Sequence, residues 1–216
     1  MSRIALIHAL GHSSAPINAA LERDWPAAER MNLLDDSLSA DLAHAGALDA
    51  RMTQRFLALA DYAVGTGADA ILFTCSAFGP CIEAVKQRHA AIPVLRPNEA
   101  MIDEAVALAA GTPIGLLATF APTLQSMPPE FPATAVLHTA LAEAAMAALD
   151  AGDTATHDRL AVQAAMALAD QGCRVIALAQ FSLARARDAV AAATGLLVLT
   201  TPDSAVARLK ALLRAA

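Results

Sequence analysis

The chain has 216 residues, of which 56% are hydrophobic and only 4% aromatic, and its formal net charge is −6. This length allows one large domain or two small ones, and an acidic chain without a basic stripe is not expected to bind nucleic acid. No apolar run reaches the roughly 18 residues that a membrane span requires, so we expect no membrane association.

Short apolar runs alternate with helical stretches along the chain. The apolar runs predict strands at 3–9, 30–34, 69–74, 92–95, 112–118, 134–138, 174–179 and 196–200. Because these runs do not alternate with polar residues, we expect strands that are buried on both faces of a mostly parallel sheet. Helices are predicted at 15–23, 37–44, 48–65, 80–89, 98–110, 121–127, 139–150, 153–171, 182–193 and 202–214, with N-caps at Asp49, Asn98, Asp153 and Asp203. Strand–helix alternation with short connections predicts an α/β fold.

The second half of the chain repeats the first at an offset of 105 residues. Gly67 then falls on Gly172 and Ile71 on Ile176, whereas Cys75 falls on Gln180. A period near half the chain is too long for a solenoid. It predicts two pseudo-symmetric Rossmann-like α/β lobes, 1–98 with 200–216 and 99–199, each a mostly parallel sheet flanked by helices. Ligands of open α/β sheets bind beyond the carboxyl ends of the strands, so we expect the active site in the cleft between the lobes.

Cys75 is the strongest candidate for a functional residue. It follows the third predicted strand and lies between two hydroxyl residues, Thr74 and Ser76, shortly before a helix near Pro80. Backbone N–H groups at such a helix start favour a thiolate and a bound carboxylate. The alternative is a small buried apolar side chain, but hydroxyl neighbours are unusual for an inert thiol.

Other polar residues follow other predicted strands. Gln180 and Phe181 follow the seventh; an amide can donate and accept hydrogen bonds but cannot take a proton from carbon. His8 and Ser13 follow the first strand and suit an anionic substrate, and Thr119 follows the fifth. Capping of a helix, or a buried amide in the case of Gln180, is the alternative role for these residues.

No metal site or disulfide framework is expected. Cys75 and Cys81 do not have the spacing of zinc ligands, and Cys173 makes the number of cysteines odd. The N-terminal segment is too short and too strand-like for a signal peptide. We therefore expect reduced thiols and a cytoplasmic location.

The chain resembles the cofactor-independent aspartate/glutamate/hydantoin racemase superfamily, which includes glutamate racemases, maleate isomerases and arylmalonate decarboxylases. The resemblance rests on the Phe73-Thr74-Cys75-Ser76 turn, the two-half repeat, the strand end 115–119 and the segment 174–184. It implies two α/β lobes, an active site between them, no cofactor and a small carboxylate as substrate.

In the family's racemases two cysteines face each other across the α-carbon of the substrate. Cys75 matches the first of these cysteines, and Gln180 takes the place of the second. The resemblance thus implies an isomerase acting next to a carboxylate, with Cys75 as acid/base or nucleophile. A single-thiol lyase or decarboxylase and a non-catalytic small-acid binding protein are the alternatives. The substrate-binding residues are expected to be Thr74, Ser76, His8, Ser13, Thr119, Gln180 and Phe181, and the alanine-rich apolar helix faces favour a homodimer.

Overall fold

The computed structural model describes residues 2–215, which form two compact units. The first unit contains the residues up to Pro97 together with those from Ala205 onward, and the second contains Asn98–Ser204. Among the described residues, no helix is both long enough and apolar enough to cross a bilayer.

The first unit contains one parallel four-stranded sheet. Its strands are β1 (Arg3–His8), β2 (Glu29–Leu34), β3 (Ala70–Phe73) and β4 (Val94–Leu95), in the order β2-β1-β3-β4. Its helices are α1 (Ser14–Asp24), α2 (Ser37–Ala45), α3 (Ala50–Gly65) and α4 (Gly79–Arg88).

The second unit repeats this arrangement. The strands β5 (Ile114–Ala118), β6 (Leu137–Leu141), β7 (Val175–Leu178) and β8 (Leu197–Thr200) are all parallel, in the order β6-β5-β7-β8. The helices are α5 (Glu99–Ala109), α6 (Ala121–Ser126), α7 (Ala145–Asp150), α8 (Thr154–Asp170), α9 (Arg187–Thr194) and α10 (Thr201–Ala215), the last of which continues into the first unit. Two parallel sheets flanked by helices confirm the predicted α/β class.

Side chains on the inner strands alternate between two helix layers. In the first unit Ile71 and Phe73 pack into one cluster with α3, where Phe73 stacks on Phe56 at a ring-centroid distance of 5.3 Å. In the second unit Ile176 packs in the matching place against α8. The buried stripe of α3 corresponds residue by residue, at the offset of 105, to that of α8: Met52, Phe56, Ala60 and Ala63 against His157, Ala161, Ala165 and Leu168.

Several details of the secondary structure differ from the prediction. The strand predicted over 134–138 lies at Leu137–Leu141, and the first part of the helix predicted over 182–193 is the 3-10 helix Phe181–Ala186. The helix predicted over 139–150 is wrong in its first part, because Thr139–Leu141 belong to β6 and pair with β5. The outer strands β2 and β6 are not buried on both faces. The other two edge strands, β4 and β8, are mostly buried, so the prediction fails for β2 and β6 and not for edge strands in general.

The predicted helix caps are correct in two of four cases. The carboxylates of Asp49 and Asp153 accept the backbone N–H groups three residues on, at 2.7 Å and 3.0 Å. Asn98 makes no such bond. Asp203 is also wrong as a cap, because its own N–H donates to the hydroxyl of Thr200 at 3.2 Å.

Candidate functional site

Cys75 lies directly after the carboxyl end of β3. Its backbone is extended, and a short 3-10 helix, Ser76–Phe78, follows and leads into α4. The thiol is partly buried against the α3 side of the first sheet, whereas Cys81 and Cys173 are buried. Of the three cysteines, Cys75 is therefore the one that a reagent in solution reaches most readily.

The surroundings of Cys75 disfavour the thiolate in this structure. Burial raises the pKa of the thiol, and a hydrogen bond to the backbone of Ala77 lowers it by less. The predicted effect of a backbone amide on the thiolate is present, but loss of hydration outweighs it. At neutral pH the Cys75 side chain is a protonated thiol, able to give a proton away.

Thr74 points to the opposite face of the strand from Cys75, as successive side chains of extended backbone do. Its Oγ1 lies 2.8 Å from His8 Nδ1 and 2.9 Å from Ser13 Oγ. The His8, Ser13 and Thr74 side chains are all buried. Three residues predicted separately as substrate-binding groups therefore form one hydrogen-bonded cluster, and they bond to one another.

The other nitrogen of His8 is bonded as well. His8 Nε2 lies 2.9 Å from Asn32 Oδ1, and the same oxygen accepts Asn18 Nδ2 at 2.8 Å. Burial lowers the pKa of His8, and the hydrogen bond to Asn32 opposes this effect. The imidazole is accordingly neutral at neutral pH. Asn18 and Asn32 were not predicted, although a lone asparagine inside the second predicted strand is a signal that could have indicated Asn32.

In the second unit, Thr119 and Gln180 lie side by side. Leu117 pairs with Leu178 in the parallel sheet, so the residues just beyond these strands stay adjacent. Gln180 Oε1 accepts the Thr119 backbone N–H at 2.6 Å and the Thr119 hydroxyl at 2.9 Å. The amide oxygen is thereby fixed, and the Gln180 NH2 group makes no hydrogen bond within the described part of the chain. This arrangement leaves a donor available at the carboxyl end of β7.

Two further residues, Ser76 and Phe181, were predicted to bind substrate. Ser76 is partly buried, and Phe181 is buried at the start of the 3-10 helix Phe181–Ala186. Cys75 and Gln180 belong to different units. The expectation that they face one another stays a prediction.

These observations define a class: paired parallel α/β units with a thiol at one inner strand end and an amide at the equivalent end of the other. The sequence model of the Asp/Glu/Hydantoin racemase family matches residues 14–209, and the chain belongs to this family. The match confirms the resemblance inferred from the sequence and shows that the chain is an enzyme of the racemase type. No curated protein matches the sequence.

Solved structures of racemases share this fold. Glutamate racemase RacE1 from Bacillus anthracis aligns with a TM-score of 0.73 at 15% identity, over 99% of this chain and 82% of that one. Allantoin racemase from Klebsiella pneumoniae gives 0.71 at 15% identity, over 100% and 89%. Aspartate racemase from Picrophilus torridus gives 0.67 at 10% identity, over 97% and 93%.

Proposed function

We propose that the protein is a cofactor-independent isomerase that acts at the carbon next to a carboxylate of a small organic or amino acid, with Cys75 as the acid/base or nucleophile. The observation that supports this most is the position of Cys75. It is the least buried of the three thiols and lies at the carboxyl end of an inner strand, where parallel α/β sheets bind their ligands. The glutamate, aspartate and allantoin racemases of similar fold favour a substrate with an acidic α-hydrogen.

Isomerisation at this carbon requires a thiol that can exchange a proton with it. In its thiolate form, which burial makes the minor one, Cys75 takes the α-proton, which forms S–H and leaves an enolate-like carbanion. Such a carbanion needs several kcal/mol of stabilisation from hydrogen-bond donors, a role that suits the Ser76 hydroxyl next to Cys75. Return of a proton to the opposite face requires a second acid. Gln180 cannot supply it, so we assign this proton to water.

A lyase is the second candidate, and the raised pKa of Cys75 favours it. In a decarboxylation the bond to the departing CO2 breaks, and its electron pair remains on carbon as the carbanion. A neutral thiol then donates its proton to that carbon and becomes the thiolate. This step uses Cys75 in the protonation state that burial favours, and it needs no second base.

Proton exchange observed in D2O separates these functions. The protein is incubated with amino acids, hydantoins and malonate-type acids, and the α-hydrogen is followed by 1H NMR together with chiral chromatography. We expect deuterium at the α-carbon for at least one acid, with exchange lost in Cys75→Ala and kept in Cys173→Ala, which alters a buried cysteine. Release of CO2 would identify the lyase.

Two outcomes would count against an enzyme that depends on Cys75. Unchanged exchange in Cys75→Ala removes the thiol from the mechanism. Thermal stabilisation by an acid without any exchange indicates a binding protein. Gln180→Cys tests the sequence-based prediction that residues 75 and 180 face one another, because a second thiol on the opposite face of the substrate would replace water as the proton donor. If the prediction holds, this variant racemises the substrate faster than the native protein.

A further inference from the structure

The hydrogen bonds around His8 fix which of its ring nitrogens carries the proton. Asn18 Nδ2 lies 2.8 Å from the backbone carbonyl oxygen of Ser14, a contact that only the NH2 end of an amide can make. The same NH2 group donates to Asn32 Oδ1, and Asn32 Nδ2 donates back to Asn18 Oδ1 at 3.2 Å. Asn32 therefore presents its oxygen to His8 Nε2, so Nε2 is the protonated nitrogen.

With the proton on Nε2, the neutral imidazole has a lone pair at Nδ1. The nearest donor is the Thr74 hydroxyl at 2.8 Å, and Ser13 Oγ is farther away at 3.3 Å. The Ser13 hydroxyl lies 2.8 Å from the Leu10 carbonyl and 2.9 Å from Thr74 Oγ1. The Thr74 hydroxyl therefore donates to His8 Nδ1 and not to the Ile7 carbonyl, which is farther away at 3.4 Å. The one Ser13 hydroxyl proton goes either to the Leu10 carbonyl or to Thr74 Oγ1. The Thr74 N–H also donates to the Ile7 carbonyl at 3.1 Å.

We propose that His8 is a positioning residue. Its Nδ1, kept as a hydrogen-bond acceptor by the fixed tautomer, anchors the Thr74 side chain and thereby the turn that carries Cys75. On this view the His8, Ser13 and Thr74 side chains do not bind substrate, because they are buried and bonded to one another. The effect on catalysis rests on the proposed function, whereas the effect on the thiol does not.

A pair of His8 variants separates the two ring nitrogens. Asparagine places an amide oxygen near the position of Nδ1 and so keeps the acceptor for Thr74. Glutamine places an amide nitrogen near the position of Nε2 and keeps only the donor to Asn32. Both variants, with His44→Gln as the control at an exposed histidine, are made in the full chain.

Two measurements follow: kcat and KM on the substrate found above, and the rate at which iodoacetamide modifies the peptide containing Cys75. We expect His8→Asn to keep at least about a third of the native kcat and His8→Gln to lose about tenfold, with KM little changed, as fits the loss of one buried hydrogen bond. Alkylation should speed up about tenfold in His8→Gln only, because a loosened turn exposes the thiol. Equal behaviour of the two variants in both measurements overturns the proposal.

Thr74 supplies an independent test should His8→Gln fail to fold. Thr74→Ser keeps the hydroxyl, and Thr74→Val keeps the shape without it. The valine variant should resemble His8→Gln, and the serine variant should resemble the native protein. Native alkylation in Thr74→Val overturns the proposal even if no substrate is known. Loss of turnover in Cys75→Ala without any difference among these variants refutes the role of His8 and leaves the proposed function standing.

Discussion

Replacing His157 by methionine is expected to stabilise the protein, although the change removes a hydrogen bond. His157 lies in the first turns of α8, and its side chain is 0% exposed. Nδ1 bonds to Asp158 Oδ1 at 2.8 Å, but within the described residues Nε2 has no partner. The equivalent position in the other half is occupied by Met52, so the fold already accepts methionine in this environment.

The size of the effect follows from two opposing contributions. A buried polar atom without a partner costs about 1–3 kcal/mol, which the substitution recovers. Loss of the Nδ1 bond costs about 1 kcal/mol, because Asp158 keeps both of its contacts with Arg185. The side-chain volume is nearly conserved, so no large cavity forms. We expect a net gain of about 1 kcal/mol, which corresponds to a rise in Tm of about 2–4 °C for a chain of this size.

Urea unfolding and calorimetry measure this gain, and Met52→His is the reciprocal control. That variant puts an imidazole into the corresponding place, where the residue equivalent to Asp158 is Thr53 and cannot act as the same acceptor. It should lose about 1–3 kcal/mol. If His157→Met were instead destabilised by more than about 1 kcal/mol, Nε2 must be bonded in solution, and the reasoning from an unpartnered nitrogen would be refuted.

Three further predictions concern packing, capping and pH. Gly115→Ala should cost about 1–3 kcal/mol in urea unfolding, because a Cβ there would lie 2.8 Å from the Ile176 side chain and 3.0 Å from that of Leu168 on α8; a stability within 0.5 kcal/mol of native would show that these side chains can move away. Asp49→Ala should cost about 1 kcal/mol through loss of the α3 cap, and Asp49→Asn should restore most of it. Because burial lowers the pKa of His8, unfolding favours its protonation; stability should fall as pH drops below about 6.5, and His8→Asn should flatten this slope. An unchanged slope would show that His8 does not titrate in this range.

The inner strands could be predicted because their signal is local, and the repeat because equivalent residues recur at one fixed offset. Runs such as Ala70–Phe73 are apolar at every position, which only strands buried on both faces tolerate for long. The segment 139–141 was assigned to a helix because alanine and leucine are good helix formers. In the structure these residues form a strand because they pair with β5. Three residues of sequence do not reveal such a long-range pairing.

The candidate site could be predicted as a set of strand ends but not as a set of contacts. The residues after β1 and β3 were found because polar side chains there follow apolar runs. The bond from His8 to Asn32 depends on the parallel register that places β2 beside β1, which the sequence does not specify. The direction of the Cys75 pKa depends on how deeply packing buries the thiol, and this too is set by the tertiary structure.

Thr74 and Cys75 are neighbours in the chain, but their side chains lie on opposite faces of the sheet and contact different helix layers. The thiol packs on the side of α3, whereas the threonine belongs to the cluster that reaches Asn18 on α1. The reactivity of the Cys75 thiol and the rigidity of the turn that carries it can therefore be changed by different substitutions. Substitutions in the layer that includes α3 would change the acidity of the sulfur, and substitutions around α1 would loosen or tighten its support, so an engineer has two nearly independent ways to alter a single thiol.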